Sequence, residues 1–120
     1  MNVVVTAPSE PSEPHVLSIT GDLDIMSVPD VADRIPDLVR DASALVVDLR
    51  EVSFLDSSGV RFLHRLARSC SEAGTSVRVV APPGGRARRV LDLVGMTLLV
   101  DDDMETARIA LRDRRSGPGQ

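Results

Sequence analysis

Two short stretches concentrate the side chains that could do chemistry: Gly21-Asp22-Leu23-Asp24 and Asp56-Ser57-Ser58-Gly59. A serine nucleophile needs a base within hydrogen-bond reach. The chain has two histidines. His64 stands seven residues after Ser57, roughly 10.5 Å up a helix axis, and His15 opens a strand. No Gly-x-Ser-x-Gly elbow is present, so a hydrolase is a poor reading. Asp22, Asp24 and Asp56 could converge on magnesium as in a phosphatase. Such a site also needs a lysine beside the transferred phosphoryl group, and the chain has none; all fourteen basic residues are Arg. The same absence removes a P-loop ATPase, a lysine-based kinase and a Schiff-base enzyme. No metal and no cofactor is expected. Cys70, the one cysteine, permits no internal disulfide and reads as a core thiol.

Helix capping is the ordinary role for an Asp or Ser at such a turn, because its oxygen accepts from exposed backbone N–H groups. One cap suffices, yet Asp56-Ser57-Ser58 offers three, and Gly59 lets another backbone or a ligand approach closely. This redundancy argues for a function beyond capping. On a helical wheel Ser57 falls on the exposed side with Arg61 and His64, whereas Ser58 falls near the apolar edge. Arg61, His64, Arg65 and Arg68 form a basic stripe. A solvated face is its ordinary meaning, but Arg61 lies one turn beyond Ser57, which makes the stripe a candidate partner surface. Asp56, beside the helix start, is expected to contribute to stability as a cap. Asp24, on a separate turn, is expected to affect binding with little change in stability.

These residues need elements to position them. Residues 3–6 and 15–20 read as strands around a proline-rich loop, residues 7–14, and Gly21 is expected to close the second strand. Val28, Val31, Ala32, Ile35, Leu38 and Val39 make one helix face, with a kink expected at Pro36. Residues 44–49 form an apolar run covered on both faces, and Val52 to Leu55 a second short segment. Gly59, Val60, Phe62, Leu63, Leu66, Ala67 and Cys70 then fall within an arc of about 160°, and Gly74 ends that helix. Residues 76–80 are a strand. Ala87, Val90, Leu91 and Val94 form a helical stripe, and residues 98–100 a last strand. Asp101-Asp102-Asp103 favours a helix start, with Asp102 and Glu105 spaced as a capping box; Met104, Ala107 and Leu111 are expected to point inward. The alternation predicts an α/β fold: a mixed, mostly parallel sheet of about 4–5 strands with about 4 helices. Residues 1–111 are expected to form one domain and 112–120 a disordered tail.

The chain has 120 residues, 42% hydrophobic and 27% charged, as in a globular domain. Aromatic residues are only 2%, which excludes stacking platforms for single-stranded nucleic acid. A net charge of −4 offers no basic field for a phosphate backbone. Neither a basic leader nor an apolar run of membrane-spanning length is seen, so a cytoplasmic location without membrane insertion is expected.

Gly21-Asp22-Leu23-Asp24, Leu45-Val46-Val47-Asp48-Leu49 and Val52-Ser53-Phe54-Leu55-Asp56-Ser57-Ser58-Gly59-Val60 resemble the STAS domain, named for sulfate transporters and anti-sigma factor antagonists. The similarity covers roughly residues 2–111, and within the family the chain looks like a stand-alone bacterial anti-sigma factor antagonist. Pro36 departs from the family pattern. The resemblance implies partner switching in transcription regulation. The unphosphorylated protein would bind an anti-sigma factor that is also a serine kinase, releasing the sigma factor. The kinase would phosphorylate Ser57, and a serine phosphatase would reset it. Asp24 and Asp56 match the acidic positions around that serine, with Asp22, Ser58, Gly59, Arg61, His64 and Arg65 beside them. The protein would then be a substrate and binding module rather than an enzyme. The alternative is a STAS adaptor that is never phosphorylated, in a lipid-transport or sensor complex.

Overall fold

The longest strand, β3 (Ala44–Leu55), organises the molecule. The computed structural model describes residues 2–8, 13–96 and 99–115 and, of 38, 39, 41 and 113–115, the backbone. β3 carries apolar side chains to both faces because both are covered. Leu45, Val47 and Leu49 join the main core, while Ala44 and Val46 pack with Val80, Ala107 and Leu111 on the other side. The two short segments read from the sequence are one strand. Its neighbour β2 (His15–Leu23) accommodates it through register shifts between Ser18 and Thr20 and between Gly21 and Asp22. At the first shift the Asp48 carboxylate accepts from the Arg50 N–H at 3.0 Å and takes both arms of its guanidinium at 2.9 Å. At the second, Gly21 has φ 87°, a left-handed conformation suited to glycine. β2 therefore does not close at Gly21. It runs on to the fully buried Leu23, and only Asp24 lies beyond.

β1 (Asn2–Thr6) pairs antiparallel with β2, while β3, β4 (Ser76–Val80) and β5 (Val100–Asp101) add in parallel, giving the order β1-β2-β3-β4-β5. This is the mixed, mostly parallel sheet expected. The first helical segment is two helices, α1 (Val28–Ala32) and α2 (Ile35–Asp41), separated at Asp33-Arg34. The single kinked helix fails because Pro36 has no N–H for the Ala32 carbonyl. The chain restarts instead, with Pro36 in the first turn of α2. The side chains of Leu38 and Val39, expected on this stripe, lie outside the described residues. α3 (Ser57–Ala73) buries Gly59, Val60, Phe62, Leu63, Leu66 and Cys70 and ends at Gly74, φ 77°, as its wheel predicts. α4 (Arg86–Leu93) buries Ala87 and Leu91, but Val94 caps it and is exposed.

β5 is shorter and later than expected; Leu98 lies outside the described residues. Asp101 belongs to this strand, not to the next helix, because the Arg78 guanidinium clamps its carboxylate through two hydrogen bonds at 2.7 and 2.9 Å. α5 (Met104–Arg115) is capped by Asp103, whose carboxylate accepts from the Thr106 N–H at 2.7 Å, so the Asp102–Glu105 capping box does not form. That bond, foremost among the causes, holds the Asp103 carboxyl below its usual pKa. Asp102 instead pairs with Arg88 at 2.7 Å. Ala107 and Leu111 are buried and Met104 half-buried. The helix continues past the expected start of the tail to Arg115.

Candidate functional site

The carboxyl ends of β2 and β3 lie side by side, with Asp22 opposite Phe54 and Leu23 opposite Leu55. This pairing brings the two polar stretches together. Asp56 is extended, φ −105° and ψ −173°, and Oδ1 accepts from the Gly59 N–H at 3.0 Å, capping α3. Oδ2 accepts from the Ile25 N–H at 3.3 Å. One carboxylate thus caps a helix and ties down the turn after β2.

That turn has a cap of its own. Asp24 Oδ1 accepts from the N–H groups of Met26 and Ser27, both at 3.0 Å. The Asp24 N–H donates to Ser27 Oγ at 2.9 Å, and this hydroxyl donates to the Asp22 carbonyl at 2.8 Å. The expected contrast between a structural Asp56 and a non-structural Asp24 is therefore wrong. Both are caps, because the turn before α1 leaves N–H groups that need acceptors. Ser27, absent from the sequence-derived site, completes this network.

Gly59 is buried and needs its missing side chain. An added Cβ would stand 2.6 Å from the Leu23 carbonyl oxygen and against the Leu55 methyl group. The close approach anticipated at this glycine is made by the protein's own β2, and the residue seats α3 without offering surface to a partner. Asp22 is exposed on β2. Its carbonyl, rather than its carboxylate, is what holds the turn.

Ser57 is exposed in the first turn of α3, and Ser58 is half-buried. They open onto two different depressions. Ser57 lines a shallow cavity of about 410 Å³ with Leu55, Asp56, Val60, Arg61, Val90 and Val94. Ser58 lines a groove of about 530 Å³ between α1 and α3, with Ile25, Val28, Pro29, Arg61, His64, Arg65 and Arg68. Arg61 borders both. Apolar side chains stand exposed on either side: Ile25 at 68% and Met26 at 83% on the β2–α1 turn, Leu93 at 80% and Val94 at 52% at the end of α4. Reading the elements as amphipathic missed these. Ile25 and Met26 precede the apolar stripe of α1, and this offset was the available signal. Among the described residues no three His, Cys, Asp or Glu side chains gather to hold a metal. Nor does a hydrogen bond among the described residues join Ser57 to an imidazole, and the arrangement presents a hydroxyl on a partly apolar surface.

The comparisons agree with this geometry. The family model described as "Mlab, STAS domain" matches residues 6–101. The anti-sigma-F factor antagonist RsfB of Mycobacterium tuberculosis is 36% identical over 83 residues, 68% of this chain and 66% of that protein; the match thus spans just under two thirds of the relative's length. The crystal structure of an anti-sigma factor antagonist from Mycobacterium paratuberculosis superposes with TM-score 0.82 at 30% identity, over 93% of this chain and 94% of that one. The anti-sigma factor antagonist SpoIIAA in its unphosphorylated form shares the fold, with TM-score 0.74 at 21% identity over 99% and 100% of the two chains. With the matching model covering most of its length and the two capped turns in place at the ends of β2 and β3, the chain belongs to the STAS domain family.

Proposed function

We propose that the protein is an anti-sigma factor antagonist whose affinity for its partner is set at Ser57. The observation that carries this reading is the exposed Ser57 hydroxyl at the mouth of α3, flanked by exposed Ile25, Met26, Leu93 and Val94. An apolar surface of this kind suits a protein partner, and relatives of the chain bear the antagonist name. In its unmodified form the protein binds an anti-sigma factor that is also a serine kinase and so releases the sigma factor. Asp24, Asp56, Ser58, Arg61, His64 and Arg65 surround the contact, with Asp22 at its margin.

Transfer of the γ-phosphoryl group of ATP to Ser57 places about 1.5 to 2 negative charges there. A helix N-terminus accommodates a phosphate, so the fold survives. The added charge, close to Asp24 and Asp56, repels an acidic group docked at the same place. A phosphatase acting on the phosphoserine restores binding. The protein is a substrate and not a catalyst, and it works in the cytoplasm; no described helix is long and apolar enough to cross a membrane.

Incubation with candidate anti-sigma kinases and ATP, followed by mass spectrometry, tests the reading. Phosphate should map to Ser57. Ser57→Ala should lose incorporation and keep binding, Ser57→Asp should bind more weakly, and Ser58→Ala should still be labelled. Labelling of Ser58, or of Ser57→Ala at the wild-type rate, would overturn the assignment. A stable complex with no phosphate on any residue would favour the STAS adaptor reading.

A further inference from the structure

The groove between α1 and α3 has a character that the Ser57 switch does not require. Arg61, His64, Arg65 and Arg68 line one wall, and Ile25, Val28 and Pro29 the other. No carboxylate borders it among the described residues. Four arginines elsewhere are held by carboxylates, Arg40 by Asp37, Arg50 by Asp48, Arg78 by Asp101, and Arg88 by Asp92 and Asp102. Arg61, Arg65 and Arg68 on α3 have no such partner among the described residues. A chain of net charge −4 thus keeps an unneutralised basic strip beside an exposed isoleucine.

We infer that this groove docks an acidic amphipathic helix of the protein partner. Arg61, Arg65 and Arg68 recur at i, i+4 and i+7 and cover about 10.5 Å of the helix axis. Carboxylates at the same spacing on an opposing helix would meet all three, while its adjoining apolar stripe covers Ile25, Val28 and Pro29. Other occupants fit less well. The groove is shallow and open, whereas a small ligand is mostly enclosed. A second copy meeting this face about a two-fold axis would set the same cations against each other. The inference deepens the antagonist reading by giving the chemistry of the partner's contact, and it rests on that reading for the partner's identity alone.

The test uses the full chain and fluorescence anisotropy of a labelled synthetic helical peptide, with Glu at i, i+4 and i+7 and Leu on the adjoining face. A scrambled peptide of the same composition is the control. The patterned peptide should bind at least about tenfold more tightly, a difference that falls as added salt screens the charges. Arg65→Glu with Arg68→Glu should weaken binding about tenfold and confer binding of the corresponding Lys peptide. Circular dichroism checks that this surface variant is folded. Equal binding of patterned and scrambled peptides, or undiminished binding by the charge-reversed variant, would overturn the proposal. So would a wild-type dimer in gel filtration that the variant loses, or variant-sensitive binding to phosphatidylglycerol vesicles without peptide binding. The two readings fail separately. Ser57 labelled by a kinase while the peptide does not bind sinks the groove alone; peptide binding with no phosphate on Ser57 sinks the switch alone.

Discussion

Asp24 and Asp56 show how a charged side chain can serve the fold and the site at once. Each accepts two backbone N–H groups at the ends of neighbouring strands. Replacing such a cap with alanine costs about 0.5–2 kcal/mol. Asp24→Ala and Asp56→Ala should both fall in that range by urea denaturation. Asn keeps one acceptor oxygen without the charge. Asp24→Asn can accept both bonds on that oxygen and should retain most of the stability, whereas Asp56→Asn keeps the Gly59 bond but sets an NH2 against the Ile25 N–H and should lose part of it. Any change in partner affinity in Asp24→Asn then measures the carboxylate charge. A wild-type midpoint for Asp24→Ala would show that its two bonds contribute nothing in solution.

Among the elements, the break between α1 and α2 and the short strand β5 depend on single residues. A proline in a helix interior costs about 3 kcal/mol, so its removal would stabilise. Pro36 lies in the first turn of α2, where its missing N–H has no partner to lose. There its main effect is to restrict the unfolded chain. Pro36→Ala should therefore destabilise, by about 0.4–1 kcal/mol. A clear gain in urea midpoint would mean that a single strained helix forms. β5 has two residues, too few to hold by its ladder alone, and the Arg78–Asp101 fork pins it to β4. Their side chains are only 14% and 7% exposed. Arg78→Met strands a buried carboxylate and should cost about 3 kcal/mol or more. Adding Asp101→Leu should recover much of that loss, since an apolar pair needs no countercharge.

At the scale of the whole molecule, alkaline pH isolates one side chain. The chain contains no lysine and no tyrosine, and arginine stays charged. Burial pushes the Cys70 thiol up to about 11 from its usual 9.0. In the unfolded chain the thiol ionises first, so the stability it contributes is complete below pH 9.0 and is lost as pH rises toward 11. Urea midpoints should hold steady between pH 7 and 8 and fall by pH 10. The thiol should also resist iodoacetamide in the native protein and react once urea unfolds it. Rapid native labelling would place the α3 core open to solvent.

The parallel sheet, α3 with its buried arc and cap, and the place of Ser57 were legible in the residues alone. They rest on periodicity and on caps, which are local physics: apolar spacing chooses the buried face, and an Asp before a helix must meet its N–H groups. What crosses between elements was not legible. That β2 runs on to Leu23 follows from its register against β3. Asp101 joins a strand because Arg78 reaches it from β4. Gly59 faces the Leu23 carbonyl and not a ligand, and Asp24 is a cap because Ser27 folds back onto the same turn. Each of these depends on a partner distant in sequence or on a turn's closed geometry. Residue types constrain such pairings, but only packing the strands and helices together selects among them.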